Sequence, residues 1–357
     1  MSLTALRARS GAPPATGLLL LGLLVIAAFL AALCLGPVRI PPARVVQVLA
    51  EALGLAGDAA PSSLRDRVVV MDVRLPRAVL GALVGAATAL AGAIMQGVFR
   101  NPLADPGLIG VSPGAALAAV AFIVLGAGLS FGLPPALQGL GLSLAAFAGG
   151  LGTTLLIGRL AMREGYTSTA TLLFAGLALG ALASAGTGVL VFMASEQQTR
   201  EFLFWTLGSL GGATWLKTAL TAPFVLALLV AAPLLSRGLD ALALGEAEAF
   251  HMGIAVERLK RWAIVAVALG VGASVAACGV IGFLGLVVPH LVRLTLGPGH
   301  RLLLPGAALM GAAVLLVADI VARLVAAPAE LPLGVVTALA GAPFFLWLLL
   351  RRRGLGG

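Results

Sequence analysis

Residues 97–110 read GVFRNPLADPGLIG and lie between two strongly apolar runs, 78–99 and 111–129. Arg100, Asn101, Pro102, Asp105 and Pro106 crowd into this short piece. Asn101 before Pro102 and Asp105 before Pro106 are biased away from the helical region, and Gly107 is free to take a positive φ. The segment therefore reads as a rigid turn between two helices. Two prolines in one short connection suit a gate, or a fixed link near the mouth of a pore.

Outward from this turn the chain is oily. Of 357 residues, 60% are hydrophobic and 10% charged, and the mean hydropathy is +1.10. No soluble domain needs that much apolar surface, so the composition marks a polytopic membrane protein. A span takes about 20 predominantly apolar residues. Further candidates occupy 17–35, 140–160, 170–193, 218–235, 262–280, 302–322 and 331–350. A shorter run, 282–296, carries Pro289, His290 and Arg293, and such interrupted segments often mark a functional region. The expected fold is an all-α integral membrane protein of about ten transmembrane helices, one domain over 1–357.

The net charge of +9 would suggest nucleic acid in a soluble protein; here it reports topology. If the N-terminus is cytoplasmic, the C-terminus is too, and most basic residues fall inside, Arg7, Arg9, Arg100, Arg163, Lys260 and Arg351–Arg353 among them. Arg39, Arg44, Arg65, Arg67, Arg74, Arg77, Arg200, Lys217 and Arg323 fall outside, an unusual number. Trp205, Trp215, Trp262 and Trp347 sit near span ends as an aromatic belt. Cys34 and Cys278 lie in or at the ends of apolar runs and form no disulfide framework. Arg7 and Arg9 before an apolar core imitate a signal peptide. Leu33, however, stands where a lipoprotein site before Cys34 wants a small residue, so the first helix is expected to be retained.

Candidate chemistry is sparse. There is no G-x-x-x-x-G-K-[ST] motif, no catalytic constellation and no metal-ligand spacing. His251, His290 and His300 all lie toward the cytoplasmic side and read as interfacial or capping residues. Asp319 is the one acid deep in a span, and Arg323 lies four residues on along the same helical face. The pair reads as a neutralised charge rather than a proton relay, which needs several intramembrane acids. In the span 170–193, Gly176, Gly180, Ser184, Gly186, Thr187 and Gly188 keep one helix narrow, for close packing, a pathway wall, or both on different faces. Segment 201–213 is too short to span and reads as a helix dipping back at the outer surface. Segment 236–261 reads as two short helices, one over 239–251 ending at Gly253 and one from Val256. It is either a solvated loop or a docking element for a cytoplasmic partner.

RLPRAVLGALVGAATALAGAIMQGVFRNPLADPGLIGVSPGAA (74–116) resembles the signature of the permease subunits of type II ATP-binding-cassette importers, which import cobalamin, ferric siderophores and haem. The resemblance continues in FWTLGSLGGATW (204–215), LGEAEAFHMGI (244–254), GVIGFLGLVVPHLVR (279–293), HRLLLPGAAL (300–309), ADIVARL (318–324) and ELPLGVVTALAGAPFFLWLL (330–349). It implies a two-fold homodimer in the bacterial inner membrane, with the pathway at the dimer interface. It implies two cytoplasmic ATPase subunits, which use ATP and Mg, and a periplasmic substrate-binding protein. This chain would itself bind no cofactor and catalyse no reaction.

By the same resemblance, Arg74, Arg77 and Arg323 would receive glutamates of the binding protein, with Arg323 shared with Asp319. Leu244, Gly245, Glu246, Glu248, Ala249, His251 and Gly253 would belong to the helices that couple to the ATPase. Arg100, Asn101, Pro102, Asp105 and Pro106, with the loop near 163–169, would flank the cytoplasmic exit. Gly176, Gly180, Ser184 and Thr187 would line the pathway, beside the short outer helix near 202–212. SEQQTREFLFWTLGSLGG and APAELPLG look most like haem-importing members. The competing class is an ion-coupled carrier, whose marks are several intramembrane acids or paired broken helices.

Overall fold

The computed structural model describes residues 14–55, 62–126, 139–163 and 166–353. Arg7, Arg9 and the 127–129 tail of an expected span lie outside the described residues, as do the side chains of Arg163, Trp347 and Arg351–Arg353.

Helix α1 (Pro14–Cys34) is apolar all round, and a short amphipathic helix α2 (Pro42–Ala52) follows, burying Val45 and Val48. Helix α3 (Leu64–Val68) passes through a π-helical turn, Val69–Arg74, into α4 (Leu75–Val98). A 3₁₀ turn, Pro106–Ile109, precedes α5 (Val111–Leu125), and α6 (Gly141–Ala161) leads into a two-stranded hairpin, β1 (Met162–Arg163) and β2 (Tyr166–Thr167). Next come α7 (Thr169–Met193), α8 (Glu196–Thr206) and α9 (Trp215–Leu242). The chain ends with α10 (Glu246–His251), α11 (Val256–Cys278), α12 (Leu284–Leu296), α13 (His300–Val325) and α14 (Leu333–Arg353).

Among the described residues, seven helices are long and apolar enough to cross a membrane, and three shorter apolar helices fall on the remaining expected spans. Helix α12 has 13 residues. Such a length rises about 20 Å, short of the ~30 Å hydrocarbon core. Gly285 in its first turn packs against Gly92, so α12 starts well inside the bundle. The expected interrupted segment is therefore a half-helix entered by non-helical backbone, 279–283.

Helix α4 is the axis of the bundle. In its most apolar window 83% of residues are buried, against 11% for α7. Small residues make this possible. A methyl group on Gly85 would overlap the Gly311 carbonyl of α13, and one on Gly92 would overlap the Gly285 carbonyl of α12. Without an aqueous driving force, close backbone approach is what holds membrane helices together. The non-spanning segment expected near 201–213 is α8 followed by a turn through Gly208, whose φ is +72°. That turn is covered: Ser209 donates to the Cys278 carbonyl at 2.7 Å, and Leu333 and Gly334 donate to Gly208 and Leu207, both at 2.9 Å. Exposed backbone at this depth is tolerated only when it is paired in this way.

The reading of 236–261 as two short helices is corrected. Residues 239–242 complete α9, the only short helix is α10, and Val256 opens the spanning helix α11. Apolar packing at Leu239, Ala241 and Leu242 carries α9 past the polar residues that suggested a break.

Gly92→Ala should lower the melting temperature of the detergent-solubilised protein by an amount reflecting about 1–3 kcal/mol of overpacking. Gly188→Ala, with nothing within 4 Å, should melt like the parent. A thermal-shift series reads both, and equal melting of the pair would contradict the close α4–α12 contact.

Candidate functional site

The bundle has two chemically distinct ends. At one, the starts of α4 and α14 meet the ends of α1 and α13. There Arg77 stands between two carboxylates. Its Nη2 is 2.8 Å from Asp319 Oδ1, and its Nη1 and Nη2 each lie 2.9 Å from Glu330. Asp319 also pairs with Arg323, Nε to Oδ2 at 3.0 Å, as the four-residue spacing predicts. Arg323 reaches on to the carbonyls of Leu35 at 2.9 Å and Ala32 at 3.3 Å. Arg74 donates to the carbonyls of Leu33 at 2.6 Å, Cys34 at 2.9 Å and Val38.

The physical reason lies in α1. Its last carbonyls have no intrahelical partners, and its C-terminal end carries partial negative charge. Two guanidiniums satisfy both needs. The π turn Val69–Arg74 delivers Arg74 to this place, and π turns tend to mark functional sites. The three arginines expected to receive an external partner are thus only 4%, 7% and 4% exposed, for Arg74, Arg77 and Arg323, and all are engaged within the chain. Of the two acids, Asp319 is buried and Glu330 is 34% exposed along its side chain. A cavity of about 170 Å³ beside them is lined by Pro37, Val38, Val69, Val73, the three arginines and Glu330.

At the other end, α4 and α9 finish and α13 begins. His300 Nδ1 lies 2.7 Å from Asp240 of α9. The turn quoted at the outset starts here. Arg100 has a φ of +49° and is exposed, and Asn101 Oδ1 accepts the Leu103 amide at 2.9 Å. The second half does not stay at the surface. Asp105 caps the 3₁₀ turn by accepting the Gly107 amide at 2.7 Å, and Asp105, Pro106 and the Thr88 carbonyl all border Gly285. Thr88 is ten residues from Val98 (98 − 88), a climb of about 15 Å. Residues 104–110 therefore re-enter the bundle, and α5 starts at depth. Sequence signals placed the whole turn at the surface; inside, one oxygen of Asp105 is held by the cap.

Helix α7 sits beside this re-entry. A methyl group on Gly176 would overlap the Leu108 carbonyl, and Gly180 faces Pro113. Their small size serves close packing within the chain. Ser184 is exposed and donates to the Gly180 carbonyl, and Thr187 is half-buried.

Helix α10 closes this end. Gly245 precedes it and Gly253 follows it, with φ of +140° and +81°. Ala249 is buried, whereas Leu244, Glu248, Phe250, His251 and Met252 are exposed, Phe250 to 72%. Glu246 forms an ion pair with Lys260 at 2.7 Å. Lys260 was indistinguishable in sequence from an ordinary basic loop residue. Its place three residues after Glu257 was the one available signal.

These features define a polytopic helical permease with a charged cap at one end and a protruding helix at the other. A family model described as the FecCD transport family matches residues 23–351. The chain belongs to that family, the permease subunits of type II ATP-binding-cassette importers, in which a separate chain hydrolyses ATP. It is 47% identical over 283 residues to the "Hemin transport system permease protein HmuU" of Yersinia pestis, covering 79% of this chain and 83% of that one. It is 43% identical over 334 residues to the "Vitamin B12 import system permease protein BtuC" of Salmonella schwarzengrund, covering 94% of each. A solved metal-chelate type ABC transporter in an inward-facing conformation matches with a TM-score of 0.79 at 31% identity, over 94% of this chain and 98% of that one. The ion-coupled carrier is set aside by this membership.

Asp319→Asn leaves two buried guanidiniums short of a charge, and breaking such a pair costs about 3–5 kcal/mol. Glu330→Gln, at a half-exposed site, should cost clearly less. Melting temperatures of the two variants against the parent check the order, and an equal loss would show that the loop carboxylate governs the cluster.

Proposed function

We propose that this chain is the membrane subunit of an importer that carries haem, an iron–porphyrin, from a periplasmic binding protein to the cytoplasm. The observation that carries the substrate is the 47% identity to a hemin permease over most of the chain. Among the described residues no group of three or more His, Cys, Asp or Glu could hold a metal. The 43% identity to a vitamin B12 permease supports cobalamin as the second reading, and a ferric siderophore fits the metal-chelate transporter.

In this reading two copies form a homodimer in the bacterial inner membrane with both termini cytoplasmic. The pathway runs between them, along the exposed face of α7 that carries Ser184 and Thr187. What supports this is that α7 is the least covered of the long helices. Arg100, Asn101, Pro102, Asp105 and Pro106 belong to the inner gate region. The arginine end faces the periplasm, where acidic side chains of the binding protein pair with the guanidinium cluster. Three arginines against two acids leave a net positive charge there, and an arginine fork suits a carboxylate. Since Arg77 is already forked, an incoming carboxylate takes the place of Glu330, the more exposed acid. Helix α10, with Leu244–Gly253, meets one of two cytoplasmic ATPase subunits, which bind ATP and Mg. Phe250 and Met252 are the apolar anchors of that contact.

Proteoliposomes holding this chain with its ATPase, ATP inside, and haem, cobalamin or a ferric siderophore on a matching binding protein test the substrate. ATP-dependent uptake of haem alone is expected; uptake of another ligand alone would overturn the assignment. In parallel, Phe250→Asp with Met252→Asp should cut co-purification of the ATPase at least tenfold, with the permease's melting temperature within 2 °C or so of the parent. Undiminished co-purification would remove α10 from the interface.

A further inference from the structure

We infer that Lys260 is a positioning residue that clamps α10 to the β1–β2 hairpin and to the root of α7, so that these elements move as one body when the ATPase moves α10. The inference rests on the reading of α10 and α7 given above and adds the physical link between them.

Lys260 is 2% exposed although it lies at a polar end of the bundle. An ammonium group offers three donors; here two are hydrogen-bonded to different residues, and a second carboxylate adds a longer ion pair. The Thr167 carbonyl of β2 is at 2.9 Å, Glu246 Oε2 of α10 at 2.7 Å and Glu257 Oε1 of α11 at 3.6 Å. Both carboxylates then extend the link. Glu246 turns its other oxygen to the hydroxyl of Thr169, the first residue of α7, at 3.3 Å. Glu257 accepts the Thr167 amide at 2.7 Å. The amide and the carbonyl of Thr167 are thus both held by side chains of α11, and β2 cannot slide without breaking one. Thr167 in turn pairs with Met162, which directly follows α6.

The cluster joins α10, α11, the hairpin and α7 through one nitrogen. Its arms differ in strength. Lys260 is dry, while the side chains of Glu246 and Glu257 are 38% and 25% exposed. Burying a lone ammonium is costly, and its ion pairs repay that cost only with good geometry. A methionine would fill the same volume without the charge. What the charge adds is register: it fixes where α10 sits relative to Thr167 and Thr169.

The test uses the complete importer in proteoliposomes, carrying Lys260→Met or Glu246→Gln, with transport and ATP hydrolysis measured together. Spin labels at positions 166 and 251 report the hairpin-to-α10 distance with and without nucleotide. In the parent this distance should stay fixed through the cycle. Lys260→Met should broaden it and lower substrate moved per ATP hydrolysed at least tenfold. Glu246→Gln keeps Lys260 tied to β2 and α11, and should lower the same ratio two- to fivefold. It also decides the matter if Lys260→Met fails to fold. Normal ratios with a fixed distance in both variants, or in Glu246→Gln alone if the other cannot be made, would overturn the inference. If the ATPase still binds after Phe250→Asp with Met252→Asp, it is the reading of α10 that falls. If binding needs that patch and coupling survives loss of the clamp, only the present inference falls.

Discussion

The contact between Arg77 and Asp319 fixes the rest of the arginine end. It joins α4, the axis of the bundle, to α13 across 242 residues of sequence. Both partners are buried, so neither can be left alone without a large penalty. Once Arg77 and Arg323 share Asp319, Arg323 is placed to reach the last carbonyls of α1, and Arg74 completes that cap from the π turn. A helix end that would otherwise leave carbonyls unpaired is thereby closed by cations borne on two other helices. Three of the basic residues that the sequence reading set outside, Arg74, Arg77 and Arg323, thus have an internal explanation before any partner is considered. The same cations, outnumbering their acids, can still attract an acidic surface.

How much of this could be read from sequence follows from the range of each signal. Apolar runs are local, and nearly all spans were legible within a few residues. The Asp319–Arg323 pair was legible because both lie on one helix face. Arg77 as the second partner of Asp319 was not, since periodicity carries no information about side chains brought together by tertiary packing. The re-entry of 104–110 was hidden for another reason. Pro102, Asp105 and Pro106 correctly signal non-helical backbone, but say nothing of its depth. Depth is decided by Gly85, Gly92, Gly285 and Gly311, which let α4, α12 and α13 approach closely enough to cover such backbone. Lys260 was hidden because burial of a lysine depends wholly on the acceptors that surround it.

The two ends differ in a way that bears on how such a molecule moves. At the arginine end, cations and acids are largely dry, and the backbone of Leu207, Gly208 and Ser209 is stitched to Leu333, Gly334 and Cys278. Charges held in a low dielectric, with each guanidinium engaged by several acceptors, resist gradual deformation. At the hairpin end the carboxylates of Glu246, Glu257 and Asp240 all reach water, and the protruding α10 is flanked by Gly245 and Gly253 at positive φ. Lys260, buried beside Glu246 and Glu257, ties α10 to β2 and, through Glu246, to Thr169. The glycines on either side of α10 let it tilt together with the elements it is tied to. Motion imposed from the hairpin end would therefore carry this clamped group first and reach the rigid cap last. Helix α7 is the element with one foot in the clamped group, at Thr169, and little packing along its length to oppose it. Displacement of its root would swing the helix rather than bend it. The same small residues, Gly176 and Gly180, that seat it against the re-entrant turn form a smooth surface on which it can turn.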